Sequence, residues 1–174
     1  GNVERIPKEG SYGGSDKTKK WTYDLNGYTL SNPSDVDPDS LAALFEVSGD
    51  ITVVGKGAIK VDILVTGGSL TVGDECTFQK VKQTYGTLTV NAGSFTSLIV
   101  EKFDVNYPYT RETELCGGSF GEVKIVDIEE LTCADLLGKG YLFEGMTLEE
   151  AKVTELSNVT VDLCYHEHRD KNNY

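Results

Sequence analysis

The chain has 174 residues, 28 Asp and Glu against 16 Lys and Arg, a formal net charge of −12 and a hydrophobic fraction of 39%. That length suits one ordinary domain with a core of its own, and nine Tyr, six Phe and one Trp argue against wholesale disorder. The charge disfavours nucleic acid, anionic membrane surfaces and polyuronic acids unless a cation bridges them, and no run approaches the ~18–20 apolar residues of a membrane span, which leaves neutral glycans, proteins or cations as partners.

The chain opens on "GNVERIP" with neither a Met nor a charged start leading into an apolar segment. This is read as a processed or trimmed start, so a missing signal peptide does not point to the cytoplasm. Residues 1–20, polar and rich in Gly, Ser and Lys, have the composition of a linker or loosely held arm. "WTYDLNGYTLSN" at 21–32 reads as an opening coil, with Asn26-Gly27 as the turn between alternating strands.

"DVDPDSLAALFE" follows, with Asp35, Asp37, Asp39 and Glu46 at positions 1, 3, 5 and 12 of a calcium-loop spacing, where carboxylates supply hard oxygen ligands. Ser40 stands where that loop needs glycine and Pro38 stiffens its fourth position. The plainer reading is an acidic loop in which Asp39 or Ser40 caps a short turn before "LAALF".

From residue 49 the chain repeats itself. Ile51 and Val53 correspond to Leu70 and Val72, then to Leu88 and Val90, at offsets of 19 and 18 residues, each pair following a glycine (Gly49, Gly68, Gly86). A longer correspondence sets Phe95, Leu98 and Val100 against Phe120, Val123 and Ile125, 25 residues on, and Phe78 and Val81 share the Phe-x-x-aliphatic spacing. Alternation of period two turns one face of each strand inward, and glycine accommodates positive φ at corners. One such repeat cannot bury itself and must stack on its copies. The pattern is that of an all-β, right-handed parallel β-helix of about five or six coils. It predicts that Leu70 stacks on Ile51 and Leu88 on Leu70 in a continuous apolar column. A β-sandwich also has short strands with frequent turns, but does not make the same residue types return in the same frame.

"EKFDVNYPYTRETELC" at 101–116 is too long and polar for one plain coil and is expected to protrude. Its Phe103, Tyr107 and Tyr109 are candidates for stacking on the rings of a neutral glycan. The coils are expected over 21–130 and a cap over 131–164. Within the cap, "ELTCADLLGKGY" reads as an amphipathic helical turn with Thr132 as N-cap, "MTLEEA" places Thr147 and Glu150 at capping-box spacing, and "LSNVTVDL" returns to strand alternation. In "CYHEHRD", Cys164, His166 and His168 alternate along one side of an extended chain, part of a zinc or nickel set at most. Residues 165–174 read more simply as a tail.

The four cysteines, Cys76, Cys116, Cys133 and Cys164, show no C-x-x-C spacing, so neither a zinc ribbon nor a thioredoxin-like site is indicated. Buried free thiols are the ordinary state for such isolated cysteines. If a disulfide forms, Cys133 with Cys164 is the expected pair.

Taken together, "YDLNGYTL", "GGSLTV", "GGSF", "ADLLGKGY" and "LSNVTV" resemble the right-handed parallel β-helix domains of secreted surface proteins from Gram-positive, often gut-dwelling, bacteria. The resemblance runs over roughly 22–164. It implies an extracellular or wall-associated setting, usually as one module of a larger protein, and a role in adhesion or glycan contact. It carries no catalytic residue with it. The expected function is therefore a non-catalytic binding module for a neutral glycan or a surface protein, a monomer within a multidomain chain and without a cofactor unless calcium binds. A rigid spacer is the structural alternative. A polysaccharide lyase or hydrolase would need a groove with paired carboxylates, for which Glu101, Asp104, Glu122 and Asp127 are the outward-facing acids.

Overall fold

The structure, a computed structural model, describes residues 2–4, 20–103 and 110–163. Its strands are β1 (Asn2–Glu4), β2 (Lys20–Asp24), β3 (Thr29–Ser31), β4 (Phe45–Val47), β5 (Asp50–Val54), β6 (Gly57–Lys60), β7 (Ile63–Val65) and β8 (Ser69–Val72). They continue with β9 (Cys76–Gln83), β10 (Gly86–Val90), β11 (Ser94–Glu101), β12 (Arg111–Leu115), β13 (Ser119–Val126), β14 (Tyr141–Phe143) and β15 (Glu155–Leu163). Among the described residues the only helical pieces are two 3-10 turns, Leu41–Ala43 and Cys133–Leu136. The protein is all-β.

The strands form two sheets. β2, β5, β8, β10 and β12 lie side by side in one, and the strands between them in sequence belong to the other. Each circuit of the chain thus crosses to the second sheet and returns, which brings successive strands of one sheet together in the same direction. Every pairing up to β13 is parallel. β9 is long enough to pair β6 along Cys76–Phe78 and β7 along Val81–Gln83.

The register matches the repeat frame. Ile51 lies beside Leu70 and Leu70 beside Leu88, and all three are buried. Phe78, Phe95 and Phe120 are likewise in register, as are Val81, Leu98 and Val123. Because neighbouring strands are ~4.8 Å apart, in-register rings are held at stacking distance: the centroids of Phe78 and Phe95 are 4.8 Å apart and those of Phe95 and Phe120 4.9 Å, with near-parallel planes. The same closeness explains the glycines at the corners. A Cβ on Gly68 would collide with the Gly49 carbonyl, and one on Gly86 with the backbone of Gly67. Asn26 and Gly27 both take positive φ, but their turn carries the chain from one sheet to the other, since β2 and β3 are not partners.

Two expectations need correction. The second half of the protruding 101–116 segment is strand β12, in register with β10. Of its inward positions beside Leu88 and Val90, Thr113 is polar and Leu115 alone is apolar and buried, so the mostly polar sequence conceals it. The helical cap is a single 3-10 turn. Thr132 and Asp135 do cap it, with the Thr132 backbone N–H donating to Asp135 Oδ2 at 2.8 Å and the Thr132 hydroxyl at 3.1 Å. Leu137 is extended, however, with φ −71° and ψ 138°, and the Gly138 N–H goes to Leu115 O instead of back to Ala134 O, so the helix ends after one turn; the Cys133 and Ala134 N–H groups, unpaired within any helix start, go to Val153 O and Ala151 O. The chain then reverses, and β15 covers β13 in antiparallel pairing with Val159 and Val161 buried. Thr147 and Glu150 form the expected reciprocal pair.

Candidate functional site

Three corners lie one above another where the chain leaves β4, β7 and β9: Ser48-Gly49, Thr66-Gly67-Gly68 and Thr84-Tyr85-Gly86. Backbone bonds join them level to level, Thr66 N–H to Val47 O at 3.0 Å and Thr84 N–H to Val65 O at 2.9 Å. One hydroxyl therefore recurs at each level, while the bare glycine backbone leaves a hollow beside the column. The resulting groove has a volume of about 420 Å³ and, with Thr87, Phe103 and Thr110, is lined among the described residues by uncharged side chains, in a chain of net charge −12.

At the level above Thr84 the described chain reaches Phe103 and resumes at Thr110, whose O accepts the Gly86 N–H at 3.0 Å. Phe103 meets Tyr85 edge to face, with centroids 5.5 Å apart and an angle of 75°. The Tyr85 hydroxyl donates to Phe103 O at 3.2 Å, fixing both rings while Phe103 stays 48% exposed. Behind the wall, Arg111 Nη1 donates to Thr84 O at 3.3 Å, and burial lowers the guanidinium pKa. The Thr66 and Thr84 hydroxyl protons are already engaged, with Glu46 Oε1 at 3.0 Å and Val65 O at 3.1 Å, so these oxygens offer lone pairs. Such a groove can pack a sugar ring against an aromatic face and accept bonds from its hydroxyls.

Of the residues singled out in the sequence, Phe103 belongs to this groove, and Tyr107 and Tyr109 lie outside the described residues. Asp35, Asp37 and Asp39 sit between β3 and the first 3-10 turn, where Asp37 Oδ1 accepts the Asp39 N–H at 3.0 Å and Asp37 O the Ser40 hydroxyl at 2.7 Å. Glu46 is on β4 and is bonded to Thr66. No group of three or more His, Cys, Asp or Glu that could hold a metal ion occurs among the described residues. Glu101 is paired with Lys82 at 3.0 Å, a partner one circuit away. Asp104, Cys164, His166 and His168 lie outside the described residues.

Cys76, Cys116 and Cys133 are free thiols, and Cys164, the partner expected for Cys133, lies outside the described residues. Burial, with smaller contributions from nearby carboxylates, pushes the thiols of Cys76 and Cys133 up to about 11.

Tyr85 and the hydroxyl column were missed in the sequence. The available signal was a Ser or Thr returning at 48, 66 and 84, each with a glycine one or two residues on. A second concavity, about 490 Å³, is lined by Thr77, Ser94, Thr96, Ser119 and Thr160 together with Phe78, Phe95 and Phe120, but those three rings are almost wholly buried. No helix among the described residues is long and apolar enough to cross a membrane. Compared with protein-family models, curated proteins and solved structures, the chain matches none of them.

Proposed function

We propose that the chain is a right-handed parallel β-helix serving as a non-catalytic binding module, with a neutral glycan held in the corner groove beside Tyr85 and Phe103. The fold reading is supported by parallel ladders recurring at offsets of 18, 19 and 25 residues, as in Leu70 to Leu88, Ile51 to Leu70 and Phe95 to Phe120. The function rests on one observation above all: an uncharged, hydroxyl-lined groove with a fixed aromatic wall on a strongly acidic chain. Repulsion disfavours anionic ligands there, and ring packing favours a sugar. The setting follows from the resemblance of the coil motifs: extracellular or wall-associated, on a Gram-positive bacterium, as a monomeric module of a larger surface protein. A surface protein is the alternative ligand. A spacer role draws on the unbroken rows of stacked core residues, which would make the module stiff.

A glycan array, probed with and without calcium, tests the binding reading. The expected result is binding to uncharged glycans, weakened about tenfold by Tyr85→Ala and unchanged by Thr96→Lys in the other concavity. Binding that survives Tyr85→Ala removes the groove from the account. Silence across the array leaves the spacer or a protein ligand. Binding only with calcium brings in Asp35, Asp37, Asp39 and Glu46.

A further inference from the structure

We propose that Asn26 is a site of spontaneous deamidation, its side-chain amide displaced by the Gly27 backbone, and that docking of the first coil on the second sets the rate. Asn26 is the one asparagine of the chain that precedes a glycine. Any other residue there would set a Cβ beside the attacking backbone nitrogen. The reaction is an internal displacement. The Gly27 nitrogen bonds to Asn26 Cγ, the Cγ–Nδ2 bond breaks, and ammonia leaves with the proton of the Gly27 N–H. Water then opens the cyclic imide at either of its carbonyls. One route restores an ordinary aspartyl link, and the other passes the main chain through the side chain and so adds a carbon to the backbone. Both put a carboxylate where there was an amide, and neither needs an oxidant.

The turn offers access and restraint together. Asn26 and Gly27 are exposed, and a Cβ on Gly27 would meet nothing within 4 Å beyond its chain neighbours, so water reaches the reacting atoms. Both residues take positive φ, 44° and 81°, as the central pair of a type I′ turn does. Three bonds hold them: Asn26 N–H to Asp24 Oδ1 at 3.1 Å, Tyr28 N–H to Leu25 O at 2.7 Å, and Gly27 N–H to Lys56 O. The last restrains the reaction directly, because it engages the nitrogen that must attack and because Lys56 belongs to the next circuit. Gly57 lets that circuit come close: a Cβ there would collide with Tyr28 O and Leu25 Cβ. Attack therefore waits until the turn lifts from Lys56, a local opening short of global unfolding.

The whole protein is incubated in mildly alkaline buffer with and without guanidinium chloride. Its tryptic peptides are followed by mass spectrometry, and the isoaspartyl product is identified by enzymatic methylation. Asn26 should be converted before any other asparagine, at least about tenfold more slowly in the folded protein than in denaturant. Asp24→Ala, at an exposed position, releases the Asn26 N–H and should raise the folded rate by about threefold or more while leaving the denatured rate alone. Gly27→Ala should stop the reaction in denaturant, where the strain of a positive φ no longer counts. Equal rates with and without denaturant, or a folded rate that Asp24→Ala does not move, overturn the control by coil docking. Earlier conversion of another asparagine, or an Asn26 still intact in the folded protein once the denatured sample has fully reacted, overturns the site itself.

Discussion

Gln83 occupies a position that its registered neighbours Val65 and Val100 fill with valine, and it is fully buried. An amide there is tolerable only because all of it is used. Nε2 donates to Gly86 O at 3.0 Å and to Glu112 O at 2.8 Å, and Oε1 accepts the Thr113 hydroxyl at 2.6 Å. Buried polar groups cost little when satisfied and about 1–3 kcal/mol when orphaned. Gln83→Ala, which leaves three partners unmatched and a small void, should therefore destabilise the protein by about 2–4 kcal/mol in urea unfolding. Ser48→Ala makes the contrast: the Ser48 hydroxyl is buried without a partner, so its removal should be neutral or stabilising. If both changes cost the same, the network is not what holds Gln83. This pair also shows where the sequence was hardest to read. β12 carries Arg111, Glu112, Thr113 and Glu114 before its one buried apolar residue, Leu115, and its inward Thr113 is matched by a polar residue from an earlier circuit. Polar-with-polar pairing across 30 residues leaves no apolar alternation to detect.

Strands with apolar inward positions were legible for the converse reason. The frame of Ile51, Leu70 and Leu88, and that of Phe78, Phe95 and Phe120, is set by in-register parallel stacking, which requires similar shapes at equivalent positions and so writes itself into the sequence. Element type at the cap was less legible. Thr132 and Asp135 announce a helix start, but the turn ends where the Gly138 N–H goes to the distant carbonyl of Leu115, which no local pattern reveals. The stacked rings make a prediction at this scale. Phe95 has a ring on each side, Phe78 and Phe120, and is 3% exposed. Phe95→Ala opens a cavity between two further phenylalanines and should cost about 3–5 kcal/mol, with Phe95→Leu restoring part of it. A loss below about 1 kcal/mol would mean that the neighbouring circuits collapse onto the gap, and that the column is fluid and not close-packed.

For the molecule as a whole, the groove could not have been found by scanning for a motif, because Ser48, Thr66, Tyr85 and Phe103 come from four successive circuits and meet only when those circuits stack. Phe103 stands out in the sequence as a loop aromatic, whereas nothing there marks its partner Tyr85. The charge distribution gives the molecule-scale test of this arrangement. With a net charge of −12, the folded state confines more like charge than the expanded chain does, and self-repulsion opposes folding. Salt at about 0.15 M shortens the screening length to roughly 8 Å. If that recovers about 1 kcal/mol, the thermal midpoint of a protein this size should rise by about 2–4 °C. Glycan affinity should respond differently. The described residues that line the groove are uncharged and so is the ligand proposed for it, so on that reading no ion pair forms on binding and the dissociation constant should stay constant across the same salt range. Thermal scans and binding isotherms over one salt series read both quantities from a single preparation. A rising midpoint with a flat dissociation constant fits an acidic body carrying a neutral site. A dissociation constant that climbs with salt would show that charged side chains outside the groove hold the ligand.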